Sequence, residues 1–185
     1  MIEFNNVSFS YGKKQILKDF NLKIKDGARI CLFAPSGYGK TTILRLIMGL
    51  EKPSKGKIEG LDNIKIAPVF QEDRLLPHKT VIGNMELFGT GENAEEILSC
   101  LNLSEAAHLY PEELSGGMAR RVAIARALYA TGEVYIFDEP FNGIDKENTE
   151  KTAQLIREKT QGKTVIAVTH STEEATLLDT EIIYL

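Results

Sequence analysis

A short glycine-bearing segment between an apolar run and a helical pattern constrains this chain more than any other feature. The apolar residues 30–33 are followed by residues 34–42 (APSGYGKTT) and then by the periodic stretch 43–47. This order predicts a strand, a phosphate-binding loop and a helix. The glycines allow backbone amides to turn toward a phosphate, and the helix directs its positive end at the same anion.

The loop supplies the groups that hold the phosphates of a nucleotide. Lys40 is expected to reach the β- and γ-phosphates, and the Thr41 hydroxyl is expected to ligate Mg²⁺. Ala34 stands where the G-x-x-x-x-G-K-[ST] pattern has its first glycine, and it strains the loop only if that position needs a positive φ. A strand-to-helix turn without a ligand also explains a glycine pattern this short. The loop residues assigned to nucleotide binding are Pro35, Ser36, Gly37, Tyr38, Gly39, Lys40, Thr41 and Thr42.

Two acidic residues end a second apolar run. Residues 134–137 (VYIF) precede Asp138 and Glu139. Two carboxylates at the end of a buried strand are costly unless a cation lies nearby, and open α/β sheets bind ligands at the carboxyl ends of their strands. Asp138 is therefore a candidate Mg²⁺ ligand, and Glu139 is a candidate general base. Alone, the pair is equally well explained by a capped turn and a solvated glutamate.

An alanine-rich helical pattern lies between these two sites. Ser115 is a suitable N-cap for it. Gly116 and Gly117 leave two backbone amides uncovered at the helix start, which gives the chain a second candidate anion site. An ordinary capped helix explains the same residues without a ligand.

Taken together, these motifs resemble those of the nucleotide-binding subunits of ATP-binding cassette (ABC) transporters, and the resemblance covers essentially the whole chain. Residues 114–118 (LSGGM) are similar to the signature motif of the family, with Met118 where the family has glutamine. Gln71 matches the Q-loop, and His170 matches the switch histidine. Tyr11, after the first predicted strand, matches the aromatic residue that stacks on adenine.

The resemblance implies a role for each of these residues. Gln71 senses Mg²⁺ and the attacking water, and His170 contacts the γ-phosphate. Ser115, Gly116 and Gly117 are assigned to nucleotide binding, across a dimer interface. Catalysis is assigned to Glu139, His170, Gln71 and Lys40, and the metal site to Thr41, Gln71 and Asp138. Singly, each residue has an ordinary structural explanation, but their order along the chain favours the family.

Residue patterns and the resemblance together predict an α/β fold with a P-loop NTPase core and a mostly parallel sheet. Period-two alternation before the loop indicates an N-terminal antiparallel β-subdomain, with an irregularity at residues 5–6 where the apolar spacing is odd. A small helical subdomain is expected as an insertion at about residues 72–116. Its predicted helices cover 81–88 and 94–101, with a break at 89–91. Asp145, in the D-loop position, is also a suitable N-cap for a helix over 146–159.

The whole chain, residues 1–185, is expected to form a single ABC ATPase domain. Members of the family usually continue further, so a regulatory C-terminal domain and the customary last helices are expected to be missing. The segment 75–78 (LLPH) is expected to border the groove that the membrane partner grips in the family. Its two leucines form an apolar surface patch, unless they pack beneath the helical lobe.

Composition narrows the function further. A net charge of −4 with scattered lysines gives no electrostatic case for binding nucleic acid. The N-terminus resembles neither a signal peptide nor an amphipathic anchor, and no apolar run approaches the ~20 residues of a spanning helix. Cys31, in a buried-strand pattern, and Cys100 favour a reducing compartment over a disulfide framework. These features predict a soluble chain in a cytoplasmic setting, and the resemblance implies a peripheral subunit at the cytoplasmic face of a membrane.

The resulting prediction is an ATP-hydrolysing subunit that powers a transporter, with ATP and Mg²⁺ as ligands. The resemblance implies a homodimer formed on ATP binding, transmembrane permease subunits as partners and, indirectly, an extracytoplasmic solute-binding protein. Residues 69–77 are similar to importers of nitrate, sulfonates and related solutes.

Three other functions are weighed against this one. Residues 142–145 stand where the family has its D-loop, and only Asp145 matches the usual pattern. This departure, together with Ala34 and Met118, raises the alternative of a structural or regulatory cassette that binds ATP but hydrolyses it weakly. A DNA-repair or chromosome ATPase would need a long coiled coil, for which the segment between Gln71 and Leu114 has no room. A kinase would leave the signature helix unexplained.

Overall fold

The computed structural model describes residues 1–87 and 93–185 and contains two β-sheets. A three-stranded sheet has the order β2-β1-β4, and a five-stranded sheet has the order β5-β6-β7-β3-β8. The strands are β1 (Ile2–Tyr11), β2 (Lys14–Ile24), β3 (Arg29–Phe33), β4 (Lys55–Glu59), β5 (Ile66–Val69), β6 (Val134–Asp138), β7 (Thr164–Val168) and β8 (Glu181–Tyr184).

Helices alternate with the strands after β3. They are α1 (Lys40–Ile47), α2 (Val81–Glu86), α3 (Ala94–Cys100), α4 (Gly116–Tyr129), α5 (Lys146–Lys159) and α6 (Thr172–Leu177), with 3-10 turns at Ser104–Ala106 and Pro111–Glu113. Across the two described ranges, no helix combines the length and the apolar character that a membrane span requires.

The larger sheet is covered on both faces, and its strands alternate between two apolar cores. In β6, Tyr135 and Phe137 pack with α2 to α6, whereas Val134 and Ile136 pack with α1 and β1. This alternation is the period of a strand that is buried on both sides. The prediction of an α/β core is confirmed, with an antiparallel sheet as its N-terminal part.

β1 carries the irregularity predicted at residues 5–6. Ile2, Phe4, Val7 and Phe9 are all buried in one core, although the spacing between the two pairs is odd. The register with β2 shifts between Phe4 and Val7, and Asn6 has a φ of 50°. A β-bulge therefore restores the inward direction of the second pair, as expected.

The helices predicted between residues 80 and 109 lie between β5 and α4, and they share an apolar core with α4. The Thr80 hydroxyl N-caps α2, which ends at Glu86, and the Asn93 side chain N-caps α3. Residues 88–91, which include the predicted break, lie outside the described residues. The division into a core and a helical subdomain at 72–116 stays a prediction.

All five strands of the larger sheet pair in parallel, so their carboxyl ends meet at one edge. The phosphate loop follows β3, Gln71 follows β5, Asp138 ends β6, and His170 follows β7. The fold therefore collects four segments that are far apart in the sequence at the edge where such sheets bind ligands.

Candidate functional site

The loop between β3 and α1 turns through two glycines. Gly37 and Gly39 both have a φ of 86°, in the left-handed region that glycine adopts without strain. A Cβ on Gly39 would lie 2.8 Å from the side chain of Ile16, so this position has no room for a larger residue. Ala34 is buried and does not have a positive φ, so alanine in place of the expected glycine brings no backbone strain.

Lys40 is the first residue of α1 and is only 6% exposed. Its ammonium group donates to the carbonyl oxygens of Ala34 at 2.5 Å and Pro35 at 3.2 Å. Of the carboxylates in the described ranges, none forms a salt bridge with it. Because carbonyls supply dipoles rather than a full negative charge, the ammonium charge is available to an anion in the loop.

Asp138 ends β6, and the Thr41 hydroxyl lies beside its carboxylate. Burial raises the pKa of Asp138 above its ordinary value, and the neighbouring charge of Glu139 raises it further. Together with Gln71, Asp138 and Thr41 line one small cavity, so the three predicted metal ligands lie together. Hydroxyl, amide and carboxylate oxygens are the ligands that Mg²⁺ prefers.

Glu139 follows directly and takes an unusual backbone conformation. Its φ is 50°, and its N–H donates to the carbonyl oxygen of Val168 at 2.9 Å. Its carboxylate oxygen Oε1 lies 3.1 Å from Nε2 of His170. A residue other than glycine is strained in the left-handed region, and such strain is typical of active sites that hold a side chain in one direction.

A cavity of about 330 Å³ joins these groups. This volume lies within the usual range of small-molecule sites, roughly 300–1,000 Å³. Most of its lining was predicted from the sequence: Ser36, Gly37, Gly39, Lys40, Thr41, Thr42, Gln71, Glu139 and His170.

Two further lining residues, Lys14 and Ile16, come from β2. Sequence reasoning missed both residues, because no pattern in a strand shows that it will pass beside the loop. Lys14 adds a second positive charge to the cavity wall, which suits a polyanionic ligand.

Several predicted nucleotide-binding residues lie outside this lining. Tyr11 is the last residue of β1, rather than following it, and is 44% exposed. Its ring meets the edge of Phe9, with 4.8 Å between centroids. Tyr38 is 58% exposed, and Pro35 contributes its carbonyl to Lys40. An assignment of Tyr11 to adenine stacking stays a prediction.

Ser115, Gly116 and Gly117 begin α4 away from the cavity. Ser115 Oγ accepts the N–H of Met118 at 3.3 Å, which confirms the predicted N-cap. A Cβ on Gly117 would lie 2.7 Å from the carbonyl oxygen of Gly143. Since none of these three residues lines the described cavity around the phosphate loop, one chain does not bring the two predicted anion sites together.

Asp145 caps α5 as predicted. Its carboxylate accepts the backbone N–H of Asn148 at 3.0 Å and the side-chain amide of the same residue at 2.7 Å. These hydrogen bonds hold the pKa of Asp145 below its ordinary value. The cap fixes the start of α5 directly after the loop that contains Gly143.

Arg120 is a residue of this region that sequence reasoning missed. It lies on α4, is 3% exposed, and donates to carbonyl oxygens at the ends of both β5 and β6. The available signal is weak, because Arg120 is one of three arginines in a helix whose other residues are mostly small and apolar. That signal does not say which carbonyls the side chain meets after folding.

A second cavity, about 390 Å³ and mostly apolar, lies along β5 and α4. Leu76 lines it and is 40% exposed, whereas Leu75 is partly buried against the core. Leu75 therefore follows the alternative of packing beneath the helices, and the predicted surface patch is reduced to Leu76. The other lining residues are Lys65, Ile66, Ala67, Pro68, Phe70, Arg74, Arg126, Ala127 and Ala130.

The loop that carries Leu76 is held by buried polar groups. The side chain of Asn84, fully buried, accepts the N–H of Leu76 at 2.7 Å and donates to its carbonyl at 3.2 Å. Arg126 donates to the carbonyls of Arg74 and Asp73 at 2.8 and 2.9 Å. These bonds give the cavity rim a fixed shape.

Known proteins match the chain over its whole length. The family model described as ABC transporter matches residues 17–142. The arginine transport ATP-binding protein ArtP of Haemophilus influenzae is 36% identical, over 100% of this chain and 88% of ArtP. The aliphatic sulfonates import ATP-binding protein SsuB 1 of Rhodococcus jostii is also 36% identical, over 100% of this chain and 78% of SsuB 1.

Solved structures match as well. The dimeric structure of MJ0796, a bacterial ABC transporter cassette, superposes with a TM-score of 0.83 at 35% identity, over 100% of this chain and 94% of that one. A dimeric post-hydrolysis state of MJ0796 bound to ADP and Pi gives a TM-score of 0.84 at 35% identity, with the same coverage.

Proposed function

Because the chain belongs to the ABC transporter family, as one of its ATP-binding cassettes, we propose that it hydrolyses ATP at the loop cavity and thereby drives a transporter. The observation that carries this proposal is the convergence of Lys40, Glu139 and His170 on one cavity. An anion site, a carboxylate and an imidazole at the edge of a parallel sheet are the parts that phosphoryl transfer to water requires.

In the proposed reaction, Glu139 accepts a proton from the water that attacks the γ-phosphate. His170, 3.1 Å from that carboxylate, holds its direction and contacts the γ-phosphate. Lys40 and the loop amides stabilise the charge on the phosphate oxygens, which in phosphoryl transfer supplies much of the catalysis.

Thr41, Gln71 and Asp138 would hold Mg²⁺. The fit rests on the donor set: three oxygen-bearing side chains line one cavity, and the Asp138 carboxylate there is buried beside a second carboxylate. When bound, the ion supplies positive charge to the phosphate oxygens. The same charge would offset the repulsion between Asp138 and Glu139.

A second subunit would complete the site. The start of α4 bears backbone amides and the Ser115 hydroxyl but does not line its own cavity. We infer that Ser115, Gly116 and Gly117 bind the γ-phosphate held by a partner copy. MJ0796 cassettes with 35% identity to this chain are dimeric, which supports this arrangement.

The apolar cavity along β5 and α4 is the proposed docking site for a permease subunit at the cytoplasmic face of a membrane. Its rim contains Leu76, half-exposed on a loop that Asn84 holds in shape. An importer that also uses an extracytoplasmic solute-binding protein is proposed on the similarity to ArtP and SsuB 1, whose names specify arginine and aliphatic sulfonates. Small organic solutes of this kind are the proposed cargo.

An assay of Mg²⁺-dependent ATP hydrolysis by the purified chain, compared with Glu139→Gln, tests the proposal. Hydrolysis by the natural chain and its loss in Glu139→Gln are expected, together with an ATP-bound dimer of the variant in light scattering. Equal and negligible hydrolysis by both proteins would instead support the weakly hydrolysing cassette. Two observations favour the hydrolysing cassette over the weakly hydrolysing one. Ala34 does not have a positive φ, and Met118 packs against the core, so neither departure from the family pattern disturbs the cavity.

A further inference from the structure

Arg120 binds the backbone on both sides of Glu139. Its side chain is 3% exposed and reaches from α4 to the carboxyl end of β6. There its guanidinium donates to three consecutive carbonyl oxygens, those of Asp138, Glu139 and Pro140. The bond to Glu139 measures 2.6 Å and the bond to Pro140 measures 3.1 Å.

The same guanidinium also reaches the segment after β5. Its Nη1 group donates to the carbonyl oxygens of Phe70 and Gln71, the latter at 3.4 Å, and to a carboxylate oxygen of Asp73 at 3.2 Å. One buried arginine thus joins the segment that carries Gln71 to the strand end that carries Glu139. A guanidinium has five N–H donors, so these six acceptors share at least one of them, at the Nη1 group.

The three carbonyls at the end of β6 can meet one cation because the chain leaves the extended conformation. In a strand, successive carbonyls point in opposite directions. At Glu139 the φ of 50° breaks this alternation. The backbone of Glu139 is then held from both sides, by Val168 at its N–H and by Arg120 at its carbonyl. These contacts stabilise a conformation that is unfavourable for a residue with a side chain.

We propose that Arg120 is a positioning residue for hydrolysis: it holds Glu139 in the left-handed conformation that directs its carboxylate to His170, and it fixes this strand end against the Gln71 segment. The inference rests on the proposed function, because it takes Glu139 as the general base. Arg120 is absent from the lining of the nucleotide cavity, so it acts through Glu139 and not on the phosphates.

Arg120→Lys tests the proposal, because an ammonium group keeps the charge but lacks the planar fork that reaches both segments. A kcat lower by about tenfold or more, with a KM for ATP within about twofold of the natural value, is expected from a base that is misdirected while binding persists. Binding of ATP to the variant, measured by calorimetry, should likewise stay within about twofold.

Arg29→Lys is the matched control. Arg29 also donates to several backbone carbonyls, those of Thr160, Leu178 and Asp179, but it lies at the start of β3, at the opposite end of the sheet from the cavity. Its replacement should lower the melting temperature and leave kcat within about twofold. An equal loss of kcat in both variants would show that general loosening, not positioning, is responsible.

A double-mutant cycle with Glu139→Gln separates action through Glu139 from any independent effect. The residual turnover of Glu139→Gln should be unchanged, within about twofold, when Arg120→Lys is added, because the group that Arg120 positions is already gone. Additive losses in the double variant would overturn the proposal.

The remaining outcomes distinguish this inference from the proposed function. Natural turnover in Glu139→Gln would overturn the proposed function, whereas an inactive Glu139→Gln with a normal Arg120→Lys would overturn only the role of Arg120. Arg120→Gln is the second variant, because glutamine is neutral and does not place a charge at this buried position. If neither Arg120 variant folds while Arg29→Lys does, the arginine serves the fold and the positioning role is wrong.

Discussion

Nε2 of His170 lies 3.1 Å from Oε1 of Glu139, so the side chains that follow two neighbouring strands are in direct contact. β6 and β7 pair in parallel register up to Asp138 and Val168, which brings the next residues of both strands to the same level. The direction of the Glu139 carboxylate, after β6, therefore depends on the imidazole of His170 in the segment after β7.

His170→Ala should reduce ATP turnover by about 10²-fold, since it removes the contact that orients the proposed base. Binding of ATP should change little, because the loop and Lys40 are untouched. Steady-state hydrolysis and calorimetric binding on the same preparation measure the two effects. Weakened binding with unchanged kcat would contradict this role for His170.

Lys40→Ala should abolish tight ATP binding and hydrolysis. Lys40 is 6% exposed at the start of α1, and within residues 1–87 and 93–185 its ammonium group donates only to carbonyl oxygens. Its loss therefore leaves the negative charge of the phosphates without a cationic partner in the loop. Lys163→Ala, which removes an exposed lysine far along the chain, is the control for the change in net charge. Tight ATP binding by Lys40→Ala would contradict the assignment of the loop.

Asp138→Asn should stabilise the fold at neutral pH while it removes activity. Burial, then the charge of Glu139, raises the pKa of Asp138 in the folded chain, so the folded state prefers the protonated carboxyl. The resulting penalty on stability is absent below the unfolded-state pKa of this residue and is complete above its raised folded-state pKa.

Thermal unfolding of Asp138→Asn and the natural chain across a pH series measures this effect. The variant should have the higher Tm at pH 7 to 8, by roughly 2–4 °C for each kcal/mol gained in a domain of this size. Its advantage should shrink as the pH falls through the raised pKa. A lower Tm of the variant at pH 8 would show that the carboxylate is stabilising instead.

Met118→Gln should change turnover only a few-fold, less than about 1.4 kcal/mol in activation free energy. The Met118 side chain packs against the core beneath α4, while its N–H is used by the Ser115 cap. Glutamine there exchanges apolar contacts for a polar group without altering the cap. A hundredfold gain in turnover would mean that the natural residue impairs the site.

Leu76→Asp should leave the ATPase of the isolated chain nearly intact and prevent its recruitment to membranes that contain the permease partner. The reason is that Leu76 is 40% exposed at the rim of the apolar cavity, so aspartate places a charge where an apolar partner would bind. Leu87→Asp, at a leucine that is 50% exposed outside that cavity, is the matched control. Equal sedimentation of both variants with partner membranes would contradict the docking assignment.

Helix caps and strand irregularities could be predicted from the sequence, because the residues that determine them are close together in the chain. The caps at Ser115 and Asp145 and the bulge near Asn6 follow from short-range patterns, and the structure confirms them. The parallel core could be predicted from the alternation of strands and helices. The different burial of Leu75 and Leu76 could not be predicted, because both are leucines in one loop and only the folded backbone distinguishes them.

Contacts made by Arg120 lie beyond sequence reasoning for a related reason. Its partners are mostly carbonyl oxygens, which every residue possesses, so no residue type marks the two segments that it joins. The passage of Lys14 and Ile16 beside the loop is likewise a matter of how two sheets pack. Side-chain chemistry shows from the sequence which residues can bind a phosphate. The residues that position those phosphate-binding groups are known only from the folded backbone.

The approach of Gly117 to the carbonyl of Gly143, where a Cβ would come within 2.7 Å, has a consequence for how two sites would communicate. In a two-subunit sandwich, the start of α4 would meet the nucleotide of the partner, while the loop of Gly143 follows Glu139 of the same subunit. Because the two segments pack closely enough to exclude a Cβ, a shift of one segment would displace the other. Turnover should then rise sigmoidally with ATP concentration. A dimer with one bound ATP should turn over at less than half the rate of a dimer with two.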